Sequence, residues 1–412
     1  MQTDTERERT AGGRAGQEKT GIPEQCLSLR RISIGETDRI AVMGRTVPSR
    51  DPLYLYWTGS GVRFRIAASE LWVELETAYR TYEQWITVVI DGEAISRQML
   101  RRGRQFLCVF RNTDPSVCRT VQLLKDIQPM GQEPENLLAV HAIYTDGRLE
   151  APEAPACRLE FVGDSVTSGE GAIGARGEME WISEWFSAVR NYTWLTAKAL
   201  KADYNIVSQC GWGVVCAWNN DPHGRVPDLY RGVCLAARGE KDRERGTCEN
   251  WDFSAFRPDA VIVNLGANDA NAFSQPAYTD PSTGETFGMR LNPDGTPDPA
   301  DLMLFENAYT DFLRVVRECN PQAQIVACQG MFGDLLTPCT QSAVRRVQAE
   351  TGDEKIHFLH LLPIREEEIG AREHPGIKAH RRFAAEIVEF LKTLPEFGKF
   401  TDKPVSADEQ KN

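Results

Sequence analysis

Residues Arg158 to Gly171, Arg-Leu-Glu-Phe-Val-Gly-Asp-Ser-Val-Thr-Ser-Gly-Glu-Gly, constrain the fold more than any other stretch of the chain. The apolar run Leu159 to Val162 predicts a short buried strand. It breaks on Gly163-Asp164-Ser165, and small and polar residues able to open a helix follow. A serine on such a turn stands at the carboxyl edge of a sheet, with backbone N–H groups aimed at any anion placed there. An α/β protein exposes a nucleophile in this position, so Ser165 is the first candidate catalytic residue.

The stretch that follows fits the same sheet. Strands are expected at 159–162, 204–208, 258–265, 324–328 and 356–361, and helices at 192–202, 301–319, 338–350 and 375–394. Strands alternating with helices predict a parallel sheet covered on both faces. Ala270 to Pro299, rich in Pro, Gly and Asp, reads as a long loop over the site. Upstream, from about 38 to 150, the pattern differs. Short alternating runs (Leu53-Leu55-Trp57, Val62-Phe64-Ile66, Leu71-Val73-Leu75, Phe106-Cys108-Phe110) are separated by turn signals such as Gly59-Ser-Gly61 and Asp91-Gly92, which predicts an antiparallel sandwich. Gly147 to Cys157, with two prolines, reads as the linker. The expected organisation is a disordered tail at 1–25, a β-sandwich at 26–150, an α/β domain at 158–397 and a frayed tail at 398–412.

A formal net charge of -12 argues against nucleic acid or an anionic membrane as partner. No apolar run approaches the roughly 18 residues that span a bilayer. The first 24 residues carry no hydrophobic segment, so neither a signal peptide nor an anchor is expected there. The 11 cysteines are odd in number and lack metal-type spacing. They are expected to be reduced thiols of a cytoplasmic protein with no metal site.

Four pieces fall at the ends of the predicted β-units: Ser165, Gly211 in Cys-Gly-Trp-Gly, Asn268 in Gly-Ala-Asn-Asp, and His374 in Glu-His-Pro. Parallel strands gather their carboxyl ends at one edge, so the four can converge. The set matches what acyl transfer requires. A serine hydroxyl needs an imidazole to take its proton, and the tetrahedral oxyanion needs fixed donors. The backbone N–H groups of Ser165 and Gly211 and the Asn268 amide could serve as those donors.

This series of blocks resembles the SGNH (GDSL-type) hydrolases over the whole α/β part, and it implies a flavodoxin-like three-layer α/β/α domain. The β-rich domain ahead of it resembles the N-terminal jelly roll of the family 2 carbohydrate esterases, which remove acetyl groups from sugars. Met43-Gly-Arg-Thr46 and Trp57-Thr-Gly-Ser-Gly61 share that texture. By resemblance, Ser165 is the nucleophile, Ser165, Gly211 and Asn268 are oxyanion donors, and His374 is the base. The reaction implied is O-deacetylation of an acetylated oligosaccharide, such as one from xylan or mannan, through an acetyl-enzyme, without metal or organic cofactor. One departure stands out: Ala371 and Arg372 occupy the places where the superfamily usually carries an aspartate to orient the histidine. Some family 2 members work as a Ser–His dyad held by a backbone carbonyl.

Other residues have plainer readings. His380 is expected to lie on the surface or to pack its helix, Asp164 to serve its turn, and Asp269 to anchor its own loop. Trp212 and Trp218 are either core or an aromatic wall for a sugar ring. Two alternative functions remain at this level. One is a lipase or thioesterase of the same superfamily, which a long apolar channel would favour. The other is a non-catalytic carbohydrate-binding protein, which the missing aspartate would favour.

Overall fold

The alternating runs of the N-terminal part pair into two antiparallel sheets in the computed structural model, which describes residues 22–400. The strands are β1 (Arg30–Ser33), β2 (Ala41–Met43), β3 (Leu53–Tyr54), β4 (Gly61–Ala67), β5 (Leu71–Ala78), β6 (Trp85–Ile90), β7 (Glu93–Met99), β8 (Gly103–Phe110), β9 (Cys118–Lys125), β10 (Leu137–Thr145) and β11 (Arg148–Glu150). One sheet has the order β1–β10–β5–β8, with β3 paired to β10; the other runs β11–β4–β9–β6–β7, with β2 paired to β4. Their inward residues, among them Phe64, Ile66, Val73, Leu75, Val121 and Val140, form one apolar core. The result is a jelly-roll-like sandwich.

Three features depart from the sequence expectation. Phe106, Cys108 and Phe110 do not share a face. A β-bulge shifts the register between Leu71 and Trp72, so Leu107 and Phe110 enter the core while Phe106 packs edge-on against Tyr144 outside it. The short β11, with one buried residue (Leu149) between polar neighbours, lacks a visible period and reduces the linker to residues 151–156. Of the tail expected at 1–25, residues 22–25 are described, and Ile22 packs beneath the sandwich; residues 1–21 lie outside the described residues. At the other end, Pro395–Phe400 forms a 3-10 turn, and 401–412 lie outside the described residues.

The α/β domain runs β12 (Cys157–Gly163), α1 (Ser165–Ser168), α2 (Tyr192–Ala199), β13 (Ala202–Ser208), α3 (Glu240–Arg245), β14 (Ala260–Asn264), α4 (Ala267–Ala272), a small hairpin β15 (Tyr278–Thr279) and β16 (Thr286–Phe287), α5 (Pro299–Cys319), β17 (Gln324–Gln329), α6 (Thr337–Thr351), β18 (Ile356–His360) and α7 (Ile377–Lys392). The sheet is parallel with the order β13–β12–β14–β17–β18, the flavodoxin-like pattern 2-1-3-4-5. Helices α2 and α7 cover one face and α5 and α6 the other. The order reverses at β12, which opens a crevice at the carboxyl edge where Ser165 stands. Among the described residues, no helix is long and apolar enough to cross a membrane.

Most of the loop expected to cover the site, residues 270–299, lies away from it. Asn220 pins it: its amide reaches the carbonyls of Ala272 and Pro276, and its Oδ1 accepts from Met289 N–H at 2.9 Å. Of the stretch expected as that loop, Ala270, still on α4, lines the small cavity beside the serine turn, and residues 271–299 line neither that cavity nor the cleft near Gly211.

The two domains are joined by buried polar bonds. The fully buried guanidinium of Arg45 pairs with Glu160 of β12 at 3.0 Å. It also donates to the carbonyl of Gly232 and lies against the rings of Tyr230 and Phe253. Asp126 accepts from Ala188 N–H and pairs with Arg97, whose Nη2 in turn donates to the carbonyls of Glu184 and Phe186.

Candidate active site

The strand β12 ends at Gly163, where a side chain would meet Thr167 and the carbonyl of Asn264. Asp164 then caps α1, its Oδ1 accepting from Val166 N–H at 3.1 Å. This places Ser165 as the first residue of the helix. Burial pushes the Asp164 carboxyl up to about 7, against the pull of that N–H. Asp164 is therefore a residue of the turn.

His374 arrives from the opposite end of the domain. Its Nε2 lies 2.9 Å from Ser165 Oγ, and its Nδ1 lies 2.7 Å from the backbone carbonyl of Arg372. A carbonyl can only accept, so Nδ1 carries the proton and Nε2 is left to accept from the serine hydroxyl. The carbonyl is aimed there by two consecutive residues in the left-handed region, Arg372 (φ 55°) and Glu373 (φ 58°). Neither is glycine or asparagine, and each such residue costs on the order of 1 kcal/mol. Gly171 (φ 69°) leaves room for the imidazole, because a Cβ there would lie 2.5 Å from that of His374. The half-exposed Phe332 ring packs edge-to-face with the imidazole, with centroids 6.3 Å apart.

Gly211 follows β13 with φ 77°, and a side chain there would strike Trp218 at 3.0 Å. Asn268, on α4, donates from Nδ2 to the carbonyl of Trp212 at 2.9 Å. Asp269 is fully buried and accepts from Val214 N–H (2.9 Å) and Val215 N–H (2.7 Å). Burial pushes it up to about 6, while those donors pull it down. It thus ties α4 to the loop after Gly211 rather than to its own loop alone. His380 is wholly buried in α7. Its Nδ1 accepts from Tyr192 N–H, its ring stacks on Tyr192, and burial pushes it down to about 3, so it is neutral.

Beside this set lies a cleft of about 390 Å³ between the domains. Trp212 and Trp181 form its aromatic walls, and Tyr82, Gln128 and Gln132 reach it from the sandwich. Arg238 lies over the Trp212 ring at 5.2 Å. Trp218 is 47% exposed next to Gly211. Trp181 lies in a loop, and Trp185 ends a short 3-10 turn within it, Ser183–Trp185.

The structure therefore brings Ser165 and His374 into contact and sets the Gly211 and Asn268 loops side by side through Trp212 and Asp269. Sequence reading missed the Arg372 carbonyl, Glu170, Phe332 and the residues from the sandwich. Glu170 carried a signal, a lone acid between two glycines just after the serine turn. Phe332, in Gly330-Met-Phe-Gly333 after β17, carried one as well. Among the described residues, no group of three or more His, Cys, Asp or Glu is placed to hold a metal.

Sheet order and the Ser–His pair at the carboxyl edge define an SGNH-type hydrolase with an N-terminal β-sandwich. No family model matches the chain. An acetyl xylan esterase from the rumen bacterium Butyrivibrio proteoclasticus superposes with a TM-score of 0.87 at 40% identity, covering 89% of this chain and 98% of that one. A family two carbohydrate esterase from Clostridium thermocellum, in complex with cellohexaose, shares the fold at 22% identity, with a TM-score of 0.70 over 86% of this chain and 98% of its own. By sequence, an acetylxylan esterase/glucomannan deacetylase of Cellvibrio japonicus is 28% identical over 309 residues, 74% of this chain and 75% of that protein. The chain belongs to the family 2 carbohydrate esterases and is a carboxylic ester hydrolase of the carbohydrate acetylesterase type.

Proposed function

We propose that the protein removes O-acetyl groups from oligosaccharides of the xylan or glucomannan type, with Ser165 as nucleophile and His374 as general base. The contact of Ser165 Oγ with His374 Nε2, in an imidazole whose other nitrogen is held by Arg372, carries this reading. Ser165 Oγ attacks the acetyl carbonyl as its proton passes to Nε2. The oxyanion is met by the backbone N–H groups of Ser165 and Gly211 and by the second N–H of the Asn268 amide. The bond from the carbonyl carbon to the sugar oxygen breaks, and Nε2 returns the proton to that oxygen. Water then attacks acetyl-Ser165 by the same route, releasing acetate. These side chains and water supply every step, without metal or organic cofactor.

The cleft favours a sugar over a lipid. Its walls are carboxamides, an arginine and indole faces on which a sugar ring can lie; Trp212 and Trp218 are the proposed platform. The void beside the serine turn, between Val166, Ala267, Met331 and Phe332, holds only about 20 Å³, which leaves no room for a long acyl chain. The intact Ser–His contact disfavours a purely binding role. No disulfide joins cysteines among the described residues, which fits a reducing compartment, the cytoplasm, as the proposed place of reaction.

Acetate release from acetylated xylo- and manno-oligosaccharides, compared with hydrolysis of long-chain nitrophenyl esters, tests the assignment. Preference for the acetylated sugars is expected. Fast turnover of long-chain esters with none on the sugars would replace it with the lipase reading. Asn268→Ala is expected to lower kcat about 10²- to 10³-fold with the fold unchanged, and near-normal kcat would remove its amide from the oxyanion site.

A further inference from the structure

The Arg372 carbonyl can orient His374 but cannot neutralise an imidazolium. In a triad, a carboxylate behind Nδ1 does both. Here a carboxylate stands on the other side of the ring. Glu170 is almost wholly buried, and its Oε2 lies 3.7 Å from His374 Nε2. Its other oxygen, Oε1, accepts from Arg372 Nε at 2.6 Å. The backbone holds it in place: Glu170 N–H donates to the carbonyl of Ser165 at 3.0 Å.

Arg372 therefore serves the site twice. Its carbonyl holds Nδ1, and its guanidinium holds the acid that faces Nε2. The guanidinium is itself anchored, with Nη1 donating to the carbonyl of Met179 at 3.0 Å and its backbone N–H to that of Glu178 at 2.7 Å.

We propose that Glu170 is a positioning residue that acts through His374, supplying from the serine side the negative charge absent behind the histidine, with Arg372 setting how much of that charge the imidazole feels. The inference rests on the serine mechanism proposed above. At 3.7 Å the carboxylate is too far to take the Nε2 proton as a hydrogen bond, so it favours the imidazolium without diverting the proton owed to the leaving sugar oxygen. Other titratable groups around the pair do not duplicate it. Cys210, whose thiol donates to Glu170, is raised well above the usual thiol range by burial and by Glu170, so it stays neutral. His380 is neutral, as described. Asp164 interacts with Glu170, but its carboxylate is turned to the α1 cap. Glu373 adjoins His374 in the chain, but no hydrogen bond or ion pair links its side chain to the ring.

The test is kcat, KM and the pH profile of kcat/KM for acetate release in wild type, Glu170→Gln, Glu170→Asp and Arg372→Gln, with Ser165→Ala alongside. Loss of a nearby negative charge destabilises the imidazolium, so the acidic limb of the Glu170→Gln profile moves to lower pH. Its kcat falls about 10- to 100-fold while KM changes little. Removing the guanidinium leaves Glu170 uncompensated, so Arg372→Gln moves the limb to higher pH. Glu170→Asp keeps the charge and the wild-type limb. The limb does not depend on how much enzyme is folded, so a mere loss of stability leaves it in place. Limbs that stay fixed in both Gln variants, or move in the same direction, overturn the inference, as does an Asp variant no better than Gln. Undiminished turnover by Ser165→Ala would instead overturn the serine mechanism itself.

Discussion

Replacing Ser165 with alanine is expected to lower kcat for acetate release about 10⁴- to 10⁶-fold, and His374→Ala to cost nearly as much. In the proposed mechanism the two act as one unit. Without Nε2 the hydroxyl keeps its proton at neutral pH, and without Oγ the imidazole has no nucleophile to activate. Their effects should therefore not add. Ser165→Ala/His374→Ala should be no slower than Ser165→Ala alone, the residual rate coming from the oxyanion donors and the cleft. Single-turnover acetate release by the three variants measures this, and fluorophosphonate labelling of wild type at Ser165 gives the matching covalent readout. A double variant slower than both singles by the product of their effects would mean that the serine and the histidine work independently.

The second large effect concerns folding. Arg45→Met is expected to destabilise the protein by about 3–5 kcal/mol, because it leaves Glu160 charged and buried without its partner. Glu160 also accepts from the Tyr230 hydroxyl at 2.6 Å, and that hydroxyl accepts from the Asn320 amide at 2.6 Å, so the loss would spread through one network. Arg45→Met/Glu160→Leu, which removes both charges, should be more stable than Arg45→Met alone. Urea unfolding followed by tryptophan fluorescence checks both statements. A single variant within about 1 kcal/mol of wild type would show that the pair behaves like an exposed one.

Four candidate catalytic blocks were legible in the chain because each is a short residue motif between a strand and the helix after it, and the carboxyl ends of parallel strands meet at one edge. The five parallel strands were legible for a related reason: Ile262 and Val263, or Val326 and Ala327, are buried on both faces and give unbroken apolar runs. The histidine's partner was hidden because it is a main-chain carbonyl, for which the sequence has no symbol. The left-handed turn that aims it is formed by Arg372 and Glu373, residues that do not announce such a turn. Glu170 became meaningful only once Arg372, 202 positions away, was seen to hold it. Tyr82 and Gln128 depend on how two domains dock, which no local period records. In the sandwich, the bulge opposite Phe110 inverted an alternation that looked regular on paper.

Gln128 belongs to the sandwich, yet its Oε1 accepts from Cys210 N–H at 2.8 Å and from the Ser168 hydroxyl at 3.1 Å. A single side chain from the first domain thus closes the ring between the serine helix and the loop that carries Gly211. Recombination that cuts within residues 151–156 would hand on a hydrolase with its keystone missing. The α/β domain separated from the sandwich is therefore expected to lose the bond that joins its serine helix to the Gly211 loop, so the two domains form one functional unit of exchange.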